Sequence, residues 1–171
     1  LIDDLSDLES DANSAERLFK ALEGEDCVVF AHIGGRYADI KMAHDIRLER
    51  SIEVHSAWGT FEWLISDALE QDYRVGILPN SDGHKGRPGA SHPGATKFGA
   101  YGGLTCMLAR EFSRDGFLDA LRWSHHYSTT GCHMILDTRA VFDRPAERFD
   151  DDPNLGPSER ELVREAVMGN I

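Results

Sequence analysis

Three short strand-like runs constrain the fold of this chain more than any other feature. The runs are CVVFA at 27–31, SIEV at 51–54 and RVGIL at 74–78, and residues 58–71 have the pattern of an amphipathic helix. Apolar runs of this length are typical of parallel strands that are covered on both faces. Strand and helix in alternation predict βαβ units and a parallel sheet, which is either an open doubly wound sheet or part of a barrel.

The remaining segments extend the same pattern. The periodicity predicts further helices at 14–23 and 113–122, a long Gly- and Pro-rich loop at 85–103, and a β-rich stretch through YSTTG and HMILDTR. These elements place the barrel-like domain at 1–142.

The tail at 143–171 is predicted to be a connector followed by a terminal helix. Residues 143–156 are rich in Asp and Pro. Ser158 with Glu161 three positions later has the spacing of a capping box, and it predicts where the helix begins.

Length and composition exclude several classes of protein. The 171 residues fit one domain or a piece of a larger one, and the acidic opening, which starts at Leu1, predicts a C-terminal piece. Thirty acidic against eighteen basic residues give a charge of −12, which disfavours long nucleic acid as a partner. The longest apolar runs fall far short of the roughly 20 residues that a membrane helix needs. Three cysteines without a CxxC pair predict free thiols in a reducing, cytoplasmic compartment.

Side chains that can bind metal stand at or near the end of each predicted strand. They are His32 after the first strand, Glu53 and His55 on the second, and Asp82 and His84 after the third. In a parallel α/β fold, ligand sites lie at the carboxyl ends of the strands. Imidazole and carboxylate ligands suit divalent zinc, manganese or iron, and such sites commonly keep positions open for water and substrate. This convergence predicts a divalent-metal site at that edge.

Each of these residues also has an ordinary structural interpretation. Ser-Asp-Gly around Asp82 is common turn composition, and a lone histidine such as His32 is more often a hydrogen-bonded structural residue. Glu53 faces either the barrel interior or the helix layer. Support of a metal ligand, or contact with the substrate, is as plausible a role for it as direct binding of the metal. His55 has three open roles: metal ligand, proton donor or cap of the next helix.

Basic side chains near the same edge favour an anionic substrate. Arg36 follows His32, and Lys85 and Arg87 begin the long loop after His84. Guanidinium groups make bidentate contacts with phosphate oxygens. Surface charge balance is the alternative for each of them in so acidic a chain.

Three motifs resemble the PHP (polymerase and histidinol phosphatase) superfamily, in the order in which that family has them. FAHIGGR is similar to its strand that delivers a histidine before a Gly or Pro turn, SIEVHS to its Ile-Glu-Val strand, and PNSDGH to its closing Asp-x-His motif. The run from TFEWL through DGHKGRPG, FGAYGGLTC and YSTTG resembles a PHP-like group described as a domain of unknown function. The resemblance covers about residues 27–138.

This resemblance implies the C-terminal portion of a distorted (β/α)7 TIM-like barrel that holds two or three metal ions. It also implies hydrolysis of a small anionic phosphoester by a metal-bound hydroxide, with His32, Asp82 and His84 as ligands. PHP barrels begin with a His-x-His motif, which this chain lacks. We expect that motif upstream; its loss would instead indicate a degenerate site.

The leading hypothesis is therefore a metal-dependent phosphoesterase in which Arg36, Lys85 or Arg87 binds the phosphate. His55 and Glu53 are the candidates for the nearby acid or supporting group. Two alternatives stay open: a binding or regulatory module that kept the fold but lost catalysis, and a metal-dependent hydrolase that acts on a C–N or ester bond.

Overall fold

A parallel three-stranded arrangement forms the centre of the protein in the computed structural model, which describes residues 12–32, 38–87, 89–96 and 98–171. The central strand β2 (Glu49–Ser56) pairs in parallel with β1 (Val29–Ala31) on one side and with β4 (Gly76–Pro79) on the other. A two-residue strand β3 (Gly59–Thr60) turns back antiparallel against the end of β2. The predicted parallel βαβ unit is thus present, while the barrel stays a prediction.

Three helices accompany these strands near the positions that the periodicity predicts. They are α1 (Ala15–Ala21), α2 (Trp63–Glu70) and α3 (Arg114–Arg122). The caps follow from the sequence: Arg17 N–H donates to the Ser14 hydroxyl at 3.3 Å, and Gly116 N–H donates to the Ser113 hydroxyl at 3.0 Å. Each cap satisfies a backbone donor that has no partner within the helix. None of the described helices has the length and apolarity to cross a bilayer.

The apolar core lies between β2 and α2. Ile52 and Val54 of β2 cluster with Leu64 and Ala68 of α2 and with Ile40. Because successive strand residues point to opposite faces, Ser51, Glu53 and His55 lie on the other face of β2. The alternation therefore separates an apolar helix-facing side from a polar side.

A second, antiparallel pair lies beside β4. β5 (Leu104–Met107) pairs with β6 (His126–Thr129), and the Thr105 hydroxyl donates to the Pro79 carbonyl at 2.9 Å. The Ser128 hydroxyl donates to the Ile77 carbonyl. These side-chain bonds hold the antiparallel pair against the parallel strands.

His126 contacts the polar face of β2. It is buried and shares a hydrogen bond of 2.9 Å with the Ser51 hydroxyl through Nε2. A Cβ atom at Gly76 would lie only 2.7 Å from that same nitrogen, so this position requires glycine. His126 is thus a structural residue.

The predicted terminal helix is wrong. Residues 139–149 form β7 (Arg139–Phe149), which pairs antiparallel with β8 (Arg160–Val167). The Ser158 hydroxyl caps no helix; it donates to Asp150 Oδ1 at 2.6 Å and accepts from Asp151 N–H at 3.0 Å. A domain boundary at 142/143 would cut β7, so the predicted connector at 143–156 is wrong over its first half.

Shortening a core side chain on α2 tests the position of the apolar face. Leu64 is fully buried, whereas Leu69 on the same helix is 66% exposed. We expect Leu64→Ala to lower the free energy of unfolding by about 2–5 kcal/mol, because it leaves a cavity between α2 and β2. Leu69→Ala is the matched control and should cost no more than about 0.5 kcal/mol. Urea denaturation measures both, and equal losses would contradict the assigned core face.

The burial of His126 predicts a stability that depends on pH. Burial lowers its pKa below the ordinary 6.5, the charge of His125 acts in the same direction, and the Ile77 backbone opposes them. Below about pH 6.5 the unfolded chain therefore binds more protons than the folded chain, so acid lowers the free energy of unfolding. We expect that loss between about pH 7 and pH 5 in urea titrations, and a smaller loss in His126→Gln. An identical pH dependence in the variant would contradict the contribution of His126 to this loss of stability.

Candidate functional site

The parallel pairing brings the predicted site residues to one edge of the sheet. In the register, Ala31 lies beside Ile52, and Glu53 lies beside Leu78. His32 directly follows β1, and Ser81 to His84 follow β4 within a few residues. All three carboxyl ends therefore meet at the same edge, where a parallel fold places its ligands.

His32 and Glu53 form the most direct contact between predicted site residues. His32 Nδ1–H donates to Glu53 Oε2, and the side chains are 55% and 1% exposed, respectively. A carboxylate only accepts, so this bond places the proton on Nδ1 and leaves the Nε2 lone pair available. Glu53 thus orients His32 from the polar face of β2. The Glu53 carboxylate therefore does not point into the helix layer.

Asp82 and His84 form a second group after β4. Asp82 has a positive φ of 46°, a left-handed conformation that Asp adopts more readily than most residues. His84 Nδ1–H donates to the Asp82 carbonyl at 2.9 Å, and its side chain is 66% exposed. Its Nε2 is therefore the basic nitrogen here too, while the Asp82 carboxylate lies 3.9 Å from His84 Nδ1.

His55 lies deeper at the same edge. Its Nδ1 is 2.7 Å from the Thr60 hydroxyl, and a Cβ at Gly103 would come within 2.9 Å of its ring. Burial lowers the pKa of His55, whereas the Tyr101 backbone and the charge of Glu53 act in the opposite direction. The packing keeps this imidazole neutral at neutral pH, which suits it less to proton donation than the sequence analysis allowed.

Of the three predicted substrate-binding bases, two lie in the described chain. Arg36 falls outside the described residues. Lys85 and Arg87 line a cavity of about 570 Å³ together with Asp82 and His84. Lys85 Nζ donates to the Ala95 carbonyl at 2.8 Å, which holds the ammonium group at this cavity.

The sequence analysis missed a second histidine–carboxylate pair at the opposite end of β2. His44 Nδ1–H donates to Glu49 Oε2 at 2.7 Å, both side chains are 5% exposed, and the His44 ring stacks on Tyr73 with centroids 3.9 Å apart. His44 Nε2 is buried without a hydrogen-bond partner among the described residues. The described residues directly before His44, 38–43, form no strand, so the strand-end pattern could not find it.

A larger cavity of about 840 Å³ lies at the amino-terminal edge, away from the predicted site. Arg50, Gly76 and His126 line it, along with Arg74 and Asp152. Arg74 and the buried Asp152 form an ion pair of 3.3 Å there. None of the predicted metal ligands lines this cavity. Its larger volume therefore does not make it the candidate functional site.

Within residues 12–32, 38–87, 89–96 and 98–171, no three His, Cys, Asp or Glu side chains form a group that could hold a metal ion. The donors are nonetheless of the right type. Two imidazoles with free Nε2 atoms and an Asp carboxylate are ligands that zinc, manganese and iron accept. The pairs His32–Glu53 and Asp82–His84 thus fit a metal by donor chemistry, as parts of a ligand set.

Comparisons with known proteins do not assign a family. No family model matches the chain, and neither the curated proteins nor the solved structures include a match.

The contact between His32 and Glu53 is tested by a double-mutant cycle. Glu53 makes other contacts as well, so a single substitution would mix several effects. We expect His32→Ala and Glu53→Ala to be non-additive by roughly 0.5–3 kcal/mol in the free energy of unfolding, measured with urea. His84→Ala serves as control and should cost no more than about 0.5 kcal/mol, because that side chain is exposed. Additive losses would contradict the contact.

Proposed function

We propose that this chain is part of a metal-dependent hydrolase of the PHP type, acting on phosphoesters, with His32, Asp82 and His84 as metal ligands. The orientation of two imidazoles is the observation that carries the proposal. His32 and His84 each donate Nδ1–H to an oxygen, one to the Glu53 carboxylate and one to a backbone carbonyl. Histidines that bind metal almost always hold their second nitrogen in this way.

The contrast with His44 supports the same assignment. His44 has the same bond from Nδ1 to a carboxylate, but its side chain is 5% exposed and its Nε2 is enclosed. His32 and His84 are more than half exposed at the strand-end edge. A ligand must be reachable as well as oriented, and His32 and His84 meet both conditions. His92 is also exposed, with its Nδ1 2.9 Å from the Pro93 carbonyl, but it lies in the long loop and not at a strand end.

A bound divalent cation would supply a Lewis acid and lower the pKa of a coordinated water towards neutrality. The resemblance to the PHP superfamily implies two or three such ions, of zinc, manganese or iron. The upstream His-x-His motif that the resemblance implies, together with water, would complete the ligand set. Glu53 would act through His32, since its carboxylate fixes the tautomer and the orientation of the ring.

The chain's other polar groups have distinct roles in this proposal. Lys85 and Arg87 bind the anionic phosphate from the loop side of the cavity. Arg36, which follows His32 in sequence, is the third candidate for this role. His55 is neutral by burial and stays beside the site as a proton acceptor or a packing group.

A small anionic substrate fits the charge of the chain better than a long polyanion. The net charge of −12 repels an extended phosphate backbone, whereas Lys85 and Arg87 provide only a local positive field.

The three cysteines are free thiols, which supports a reducing, cytoplasmic setting.

A degenerate binding module is the second candidate. It is favoured by one observation: the described residues hold no group of three metal-binding side chains. In that case the two histidines would keep their orientation, and the cavity would bind a ligand without hydrolysing it.

Elemental analysis by mass spectrometry, on protein purified without chelator, tests the metal site. We expect zinc, manganese or iron at one or more ions per chain, and a loss of at least half of it in Asp82→Ala and in His84→Ala. His92→Ala is the matched control, because His92 is an exposed loop histidine that is not among the proposed ligands. Absence of metal from the unsubstituted protein would overturn the hydrolase and favour the module.

Hydrolysis of a panel of phosphomonoesters, measured by release of phosphate, and of phosphodiesters, measured by release of the alcohol, tests the bond that is broken. We expect release that depends on Asp82 and His84. Metal retention without release from any member of the panel would overturn the phosphoesterase assignment and favour C–N or ester bonds.

A further inference from the structure

The cavity beside Asp82 and His84 has an aromatic side that the proposed hydrolysis does not use. Its volume of about 570 Å³ lies within the range of small-molecule sites. Ala57 and Trp58 line it from the end of β2, Ser81 to Arg87 line it from the end of β4, and Phe98 closes it from the loop. The cavity is therefore continuous with the predicted metal ligands.

Two aromatic rings form this side of the cavity at an angle to each other. The rings of Trp58 and Phe98 are 4.4 Å apart between centroids and inclined by 69°. Trp58 also meets the His84 ring edge-on, at 5.9 Å and 61°. A flat ring in the cavity would contact both aromatic side chains while its substituent reached His84.

The backbone fixes where Trp58 lies. Ala57 N–H donates to the Ser81 carbonyl at 3.2 Å, which joins the end of β2 to the segment that carries Asp82. Trp58 N–H donates to the Ser56 hydroxyl at 3.1 Å. Trp58 nevertheless remains 49% exposed, although a tryptophan side chain commonly buries most of its large apolar surface.

Polar groups on the other side of the cavity set the charge of its ligand. Lys85 and Arg87 are cations that line the cavity, and the Arg87 carbonyl accepts a hydrogen bond from Ala90 N–H at 3.2 Å, which holds this part of the loop. The Ser91 hydroxyl lines the cavity and is buried with no hydrogen-bond partner among the described residues. A buried hydroxyl without a partner is costly, and a ligand oxygen would relieve that cost.

We propose that this cavity is a binding subsite for an aryl group, so that the substrate is an anionic ester that carries an aromatic ring. The part of this proposal that concerns the ester rests on the proposed function. The part that concerns the aromatic ring rests on the cavity alone. The ring contacts Trp58 and Phe98, and the anion lies towards His84, Lys85 and Arg87. Offset and edge-to-face contacts favour an aromatic ring over a saturated one of the same size.

Binding of three phosphonates, which cannot be hydrolysed as esters, tests the subsite by titration calorimetry on the full chain. We expect phenylphosphonate to bind about tenfold more tightly than methylphosphonate and several-fold more tightly than cyclohexylphosphonate. Trp58→Ala should abolish the preference for phenylphosphonate over both methylphosphonate and cyclohexylphosphonate. Phe98→Leu, which keeps an apolar side chain of similar size, should reduce the preference in part.

Trp63→Ala is the matched control, because Trp63 is 41% exposed and lies outside the cavity. Arg87→Gln should weaken all three phosphonates by a similar factor. Equal binding of phenyl- and cyclohexylphosphonate, or no binding of any of the three, would overturn the aryl subsite.

The failures of the two proposals are distinguishable. If phenylphosphonate binds through Trp58 but no phosphoester is hydrolysed, the subsite stands and the phosphoesterase fails. If aliphatic and aryl phosphoesters are hydrolysed with equal kcat/KM and the phosphonates show no preference, the phosphoesterase stands and the subsite fails.

Discussion

β2 hydrogen-bonds to β1 on one side and to β4 on the other, with all three strands running in the same direction, and the rest of the site depends on this pairing. Parallel pairing requires long connections, so the strands come from segments that are well separated in the sequence. It also brings their carboxyl ends to one edge. His32, Glu53 and the Asp82–His84 segment come to the same edge for this reason, although up to 52 positions separate them in the chain.

The alternation of side chains along β2 then assigns a function to each face. Ile52 and Val54 pack on α2 and supply the apolar burial that holds the helix to the sheet. Glu53, between them, is directed to the polar face, where a buried carboxylate is stable only with hydrogen-bond partners. His32 is one such partner, so the same interaction stabilises the interior and orients the imidazole.

β2 carries two histidine–carboxylate pairs that differ in what surrounds them. At its amino-terminal end, Glu49 holds His44 beneath Tyr73, and both side chains are enclosed. Towards its carboxyl-terminal end, Glu53 holds His32, whose ring is more than half exposed. The bond is the same in kind, but the first pair is structural and only the second has an open nitrogen. Position along the strand decides this difference, because the carboxyl-terminal edge remains open beside the cavity.

Local patterns were sufficient where local interactions control the structure. An amphipathic period and short apolar runs predicted α1, α2, α3 and the parallel strands, since each of these signals acts within a few residues. The sequence also indicated which side chains stand at strand ends. It did not reveal the pair formed by His44 and Glu49, because His44 follows directly on 38–43, where the structure has no strand.

The tail shows most clearly what the sequence could not determine. Ser158 and Glu161 have the spacing of a capping box, yet Glu161 pairs with Arg148 across β7 and β8, and Arg160 bonds Glu147 at 2.6 Å. Helix and strand compete for the same residues there, and cross-strand contacts between distant segments decide the outcome. The sequence by itself determined the separate elements and the types of donor atoms. Only the tertiary structure decided which donors meet, which nitrogen faces outward, and that two aromatic rings lie beside them, because each depends on pairing between segments far apart in the chain.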